Sequence, residues 1–217
     1  MNIRHVFYNN CYFDGNDPSA NAADDGAIAT DKTALLAGET ATFANYTSYD
    51  KGINGIMVDI LNLPAAPTLS DFEFKVGNDN NPAGWAAAAA PTSITVRPGE
   101  GPGGSDRVTI LWADNAIEKQ WMQLTVKATA NTGLTIPDVF YFGNAIGETG
   151  NSPSDAEVTP ADEIEVRNNP HTLNTNPAGA TDTCDFNRDS KVGPTDAIIV
   201  RDNGTSSMTA LKLISVP

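Results

Sequence analysis

Eight short runs of apolar and β-branched residues, each cut off by a cluster of Gly, Pro, Asn or Asp, limit what this chain can fold into. They are "IRHVFYN" (3–9), "ETATFANY" (39–46), "NGIMVDIL" (54–61), "DFEFKVG" (71–77), "SITVRP" (93–98), "RVTILWAD" (107–114), "WMQLTVKATA" (121–130) and "DVFYFG" (138–143). Several alternate with a period of two. Phe72, Phe74 and Val76 share one face, as do Met122, Leu124 and Val126, with polar residues between. That period belongs to strands with one buried face. The intervening "GNDNNPAG" (77–84) and "RPGEGPGGSD" (97–106) hold residues that accept or fix turn conformations. "WAAAAAP" (85–91) reads as a short helix or a loop beside a strand, ended by Pro91. With no convincing amphipathic helix, residues 1–142 are expected to be mostly β, an antiparallel β-sandwich of jelly-roll or immunoglobulin-like type.

After residue 143 the pattern changes. "DAEVTPADEIEVRNN" (155–169) and "DSKVGPTDAIIVRDN" (189–203) align without gaps at an offset of 34 residues, which indicates a duplicated unit over 143–217. Each copy runs from an acidic loop into a helix signal, so the region is expected to be a small α-helical pair. Ca²⁺ takes six to eight oxygens, which a twelve-residue loop can supply from alternate positions and a closing carboxylate. In "DFNRDSKVGPTD" (185–196), Asp185, Asn187 and Asp189 stand at positions one, three and five. Lys191 offers its carbonyl at seven, Gly193 leaves room for a water at nine, and Asp196 closes the loop at twelve. Ser190 at position six must take a left-handed backbone, at a cost of about 1 kcal/mol.

Pro194 suits a first helical turn and Asp196 suits the positive end of the helix dipole. These signals predict a helix over 194–202 that presents Ile198 to the core, with Val192 pinning the loop. In the first copy Asn151 and Pro153 stand at positions one and three, and Pro153 has no side-chain donor. Asp155, the Glu157 carbonyl, Thr159 and Asp162 remain, and an expanded loop recruiting Glu148 and Asn151 would complete the set. The expectation is therefore two Ca²⁺ sites, the first less regular.

The paired loops, each entering a short helix that ends in Arg-Asn/Asp-Asn, resemble type I dockerins over roughly residues 143–214. Dockerins are calcium-dependent modules of secreted bacterial polysaccharide-degrading systems, built from an EF-hand-like loop and its following helix. The arrangement, including "DVFYFGNAIGETGNS" (138–152), also resembles C-terminal modules of large secreted planctomycete proteins. The resemblance implies a secreted or cell-surface location and a cohesin-like partner. Pro160-Ala161 and Pro194-Thr195 replace the polar pairs with which cellulosome dockerins bind cohesins, so packing of the repeat on its own sandwich is the competing expectation.

A sandwich beside such a repeat suggests a carbohydrate-binding module accessory to polysaccharide binding or degradation. Trp85 is then the first stacking candidate and Tyr46 and Tyr49 the next, against the alternative that these rings pack internally; Trp112 and Trp121 are assigned to the core. The other reading is a structural or adhesion module that binds calcium and no sugar. "FDGNDPSANAADDGAIATDK" (13–32), with Asp14, Asp17, Asp24, Asp25 and Asp31, reads either as a further calcium site in the sandwich or as a solvated loop. Cys11 and Cys184 are either a disulfide joining the two ends or two buried thiols.

Thirteen basic and 27 acidic residues, a net charge of −14, disfavour nucleic acid and anionic membrane surfaces as partners. No apolar run reaches the length of a membrane span, and "MNIRHVFYNN" lacks the apolar stretch of a signal peptide, as expected for a module of a larger exported protein. His5 and His171 fall in neither a triad nor a zinc spacing, and no phosphate loop or nucleophile elbow is present. The expectation is a non-catalytic module, although so many acids leave a glycosidase-type carboxylate pair open.

Overall fold

A computed structural model describes residues 3–217. Nine strands form two sheets, and the described residues hold two α-helices. In the first sheet β1 (Ile3–Val6), β3 (Gly55–Ile60), β7 (Asp106–Leu111) and β6 (Ser93–Arg97) lie side by side in that order. The second runs β2 (Tyr46–Thr47), β9 (Asp138–Asn144), β8 (Trp121–Val126), β4 (Phe72–Gly77) and β5 (Ala86–Ala87). All pairings are antiparallel except β2 with β9, which is parallel. The antiparallel expectation thus fails at that one edge, where only two residues pair.

One core lies between the sheets. Ile56, Val58, Val108 and Ile110 enter it from the first sheet, and Phe72, Met122, Leu124, Phe140 and Phe142 from the second. The period-two triplets face each other in register: Phe72 opposite Val126, Phe74 opposite Leu124, Val76 opposite Met122. Trp112 is buried in this core, its edge on Phe74.

A second apolar cluster covers the outer face of the five-stranded sheet. Trp121 and Tyr141, which alternate with the inward residues, pack there with Leu35, Tyr46, Trp85, Leu211, Ile214 and Val216. The last ten residues therefore lie on the sandwich: Trp121 Nε1 donates to the Lys212 carbonyl at 2.8 Å, and Ala41 N to the Ile214 carbonyl at 2.8 Å. The segment 208–214 is neither helix nor strand; a lone bridge joins Leu211 to Ala156.

Two sequence expectations change here. "ETATFANY" forms no strand over 39–45; Phe43–Asn45 is a single 3₁₀ turn whose Thr42 N–H is capped by the Asn45 side chain at 2.8 Å, and only Tyr46–Thr47 pair. "WAAAAAP" contains the two-residue strand β5 and no helix, since Ala86 and Ala87 pair with Val76 and Lys75. Alanine favours helix in isolation, but five residues before a proline are too few to nucleate one.

The helices are α1 (Pro160–Asn168) and α2 (Pro194–Asp202), each opening on Pro as expected. They pack on a third cluster of Val158, Val166, Ala178, Cys184, Phe186, Val192, Ala197 and Val200. Ile198, expected to face that core, is 51% exposed, as is its counterpart Ile164 at 55%. Val192 does point inward, at 2% exposure.

Candidate metal centre

The loop before α2 is organised around its own carboxylates. Asp185 Oδ1 accepts from Asp189 N at 3.1 Å and Oδ2 from Ser190 N at 2.9 Å, which curls positions one to six around a fully buried side chain. Asn187 Oδ1 shares the Asp189 N–H at 3.2 Å, and Asp189 Oδ1 accepts from Lys191 N at 3.0 Å. Asp196 ties the two ends together: Oδ1 accepts from Phe186 N and Oδ2 from Gly193 N, both at 2.9 Å. Arg188 and Ser190 carry φ of 53° and 66°, the left-handed backbone that tight looping demands of position six.

The loop before α1 repeats this scheme with an insertion. Asp155 Oδ1 accepts from Glu157 N at 3.2 Å, as Asp189 does from Lys191. Asp162 Oδ2 accepts from Thr159 N at 2.8 Å and Oδ1 from Thr149 N at 3.0 Å, as Asp196 does from Gly193 and Phe186. Thr149 therefore stands where Phe186 does, and Glu148 where Asp185 does. The equivalence is 34 residues at Asp155 but 37 at Glu148, so the first loop is longer by three residues. Asn151 donates from Nδ2 to Asp162 Oδ1 at 3.0 Å, and Asp155 Oδ2 accepts from Ser152 Oγ at 2.8 Å.

The two units interlock. Val158 O accepts from Thr205 N at 2.9 Å, and Val192 and His171 exchange backbone bonds at 3.2 Å. Each loop's eighth residue thus pairs with the chain leaving the other unit's helix, and Thr205 is His171 advanced by the same 34 residues. Asn169 and Asn203 close their helices alike, each side-chain amide donating to the carbonyl four residues back.

Electrostatics mark both loops. Burial, with Asp196 beside it, pushes the Asp185 carboxyl up to about 7 despite the Arg188 guanidinium; burial also raises Asp196. Burial pushes Glu148 up to about 7, although Tyr46 Oη at 2.6 Å and Gly150 N at 2.9 Å both donate to it. Asp155, in contrast, is held low by the hydroxyl of Ser152. Buried oxygens with spare lone pairs and too little positive charge suit a hard cation in kind. In arrangement the fit is partial: Asp189 Oδ2 pairs with Lys191 Nζ at 2.8 Å, and among the described residues no three His, Cys, Asp or Glu side chains are gathered as for a metal ion.

Sequence reasoning missed Arg188, position four of the second loop. It is 2% exposed, lies 4.2 Å over the Tyr8 ring, donates to Tyr8 Oη at 3.1 Å and also donates to the Asp182 carbonyl. Tyr12 N donates to Arg188 O at 3.1 Å, and Asp50 N to Phe186 O at 2.9 Å. A loop arginine looks solvated in sequence; only the fold shows that it enters the sandwich.

The stacking candidates lie inside. Tyr46 and Tyr49 are fully buried and Trp85 is 8% exposed. Tyr46 bonds Glu148, Tyr49 Oη donates to Asn9 O at 3.0 Å, and Trp85 donates from Nε1 to Asp79 Oδ1 at 2.9 Å. Trp85 lies on Gly77, where a Cβ would come within 2.3 Å of the ring. A ring whose face is covered offers no platform to a sugar, so the stacking expectation does not hold for these three. Cys11 and Cys184 are free buried thiols in separate clusters, not a disulfide. The 13–32 stretch is not a solvated loop throughout, since Asp14 and Asp24 are buried. Among the described residues no helix is long and apolar enough to cross a membrane. Compared with protein-family models, curated proteins and solved structures, the chain finds no match.

Proposed function

We propose that this chain is a non-catalytic, calcium-stabilised structural module of an exported protein, in which a dockerin-like pair of loop-helix units is packed in cis on its own β-sandwich. The observation that carries the reading is Arg188: a residue of the second loop is spent inside the sandwich against Tyr8. The interlocked duplicate supports the dockerin-like assignment, and the buried carboxylates support a cation. In the second loop Asp185, Asn187, the Lys191 carbonyl and Asp196 hold the ion; in the first, Glu148, Asp155, the Glu157 carbonyl and Asp162 do. The ion supplies positive charge that these oxygens lack, and so holds each loop closed at the start of its helix.

Between the two readings open in sequence, the burial of Trp85, Tyr46 and Tyr49 favours the structural or adhesion one over polysaccharide binding. Calorimetry on the chelator-stripped chain tests the calcium claim. Uptake of Ca²⁺ at the repeat is expected with a raised Tm, because a ligand of the folded state stabilises it. Asp185→Ala and Asp196→Ala should each remove the second-loop equivalent; unchanged uptake and melting in both would sink the assignment. Retention on a polysaccharide gel that Trp85→Ala abolishes would instead restore the sugar-binding reading.

A further inference from the structure

The stretch 9–27 runs outside the repeat, yet it buries charge as the repeat does. Asp24 is fully buried; its Oδ2 accepts from Asn21 N at 2.9 Å, while Oδ1 has no hydrogen-bond partner among the described residues. Asn9 is 3% exposed, donates from Nδ2 to Pro18 O at 3.4 Å, and its Oδ1 likewise has no partner among the described residues. Asp14, 2% exposed, lies between them in sequence and accepts from Asn10 N at 2.5 Å, Cys11 N at 2.9 Å and Asn16 N at 3.0 Å. The 3₁₀ turns Tyr12–Asp14 and Ala22–Ala27 pack together, with the Phe13 carbonyl 2.9 Å from where a Cβ of Gly26 would stand.

Leaving a buried carboxylate oxygen without a donor forfeits its hydration with nothing in return, and a folded chain rarely tolerates it. Burial, together with the charge of Asp14, pushes Asp24 up to about 6. The nearby guanidiniums relieve it only in part: Arg97 lowers it through space, but Arg97 makes its ion pair with Asp25, the next residue, and Arg107 with Asp25 and Asp59. A bound cation would satisfy orphaned oxygens of this kind, since Asn Oδ1, carboxylate and main-chain carbonyl are the oxygen ligands of a hard ion.

We infer that Asp24 Oδ1, Asn9 Oδ1 and the Asp14 carboxylate form a third divalent-cation site of the calcium class, within the sandwich, completed by main-chain carbonyls and water. It fixes the 9–27 loop across the first sheet, where Tyr8 N and Ala29 N already bond the Ala27 and Val6 carbonyls at 3.1 and 3.0 Å. Its existence does not depend on the repeat binding calcium.

Counting Ca²⁺ equivalents by native mass spectrometry of the full chain, first stripped with chelator and then titrated with CaCl₂, tests it. Asp24→Asn and, separately, Asn9→Leu should each bind one equivalent fewer than the parent. In a chain already carrying Asp162→Ala and Asp185→Ala, one equivalent should remain and disappear on adding Asp24→Asn. Equal uptake with and without Asp24→Asn in either background overturns the site. Loop substitutions that leave the count unchanged would overturn the repeat assignment instead. Should the variants fail to fold, anomalous density from crystals of the parent chain grown in CaCl₂ decides: an ion beside Asp24 Oδ1 supports the site, and a water there, bridging to Arg97, overturns it.

Discussion

Arg188 shows how much one side chain can commit. Its guanidinium is desolvated, so its bonds to Tyr8 and Asp182 and its attraction to Asp185 are what make burial tolerable. Arg188→Met should cost about 3–5 kcal/mol in chelator-stripped protein, measured by chemical denaturation, because it leaves the buried Asp185 without its neighbouring cation. Arg188→Lys should recover little, since an ammonium cannot both stack flat on Tyr8 and reach two acceptors. Asp71 makes a pH-dependent contribution at the same scale. Burial opposes its charge, but hydrogen bonds from Asn131, Thr68 and Thr129 outweigh that and hold it at about 2. A carboxyl lowered on folding stabilises above its unfolded pKa, near 3.8, and loses that contribution as pH falls toward about 2. Asp71→Asn should therefore flatten the fall of Tm across that window. An unchanged acid limb would show that Asp71 is not held low.

At the scale of elements, the helix boundaries were legible and the helix faces were not. Pro at the first position and the acid at the third mark the start of α2, and the Arg-Asp-Asn end marks its stop; the structure puts it at Pro194–Asp202. Ile198 looked like the core residue because it is large and apolar. The units instead meet through the smaller Ala197, Val200 and Val166, which lets the two helices approach, with Glu163 bridging Arg167 and Arg201 across them. Ile198→Asp should change stability by less than about 0.5 kcal/mol, whereas Val200→Ala should cost about 2 kcal/mol by urea denaturation. The reverse order would mean that the helix is rotated. The lost strand at 39–45 has a similar origin: Thr42 and Asn45 offered the backbone a local hydrogen-bonded turn that competed with pairing.

For the whole molecule the C-terminal tail matters most. Leu211, Ile214 and Val216 cover Trp121, Tyr46 and Tyr141 on a sheet face that would otherwise meet water. Burying three such side chains is worth about 5 kcal/mol, or roughly 10–20 °C in Tm for a chain of this size. A chain lacking 208–217 should melt lower by that margin and bind a hydrophobic dye in its native state. A truncation that melts like the parent would show that the outer face does not need the tail. If the tail couples the repeat to the sandwich in this way, calorimetry should record a single unfolding transition; two resolved transitions would show that the two parts unfold separately.

What the sequence determined by itself was whatever rests on local pattern. Period-two alternation placed the faces of β4 and β8, turn residues placed most strand ends, and the 34-residue self-similarity located two loop-helix units. These follow from short-range sterics and hydrogen bonding, which the chain carries at every point along its length. Which surfaces are covered was decided only in three dimensions. Trp85, Tyr46 and Tyr49 have the composition of a sugar platform, and Arg188 that of a solvated loop, yet all four are buried by residues more than 30 positions away or by a glycine that admits a ring. Burial is a property of who arrives from elsewhere in the chain, and no local pattern records it.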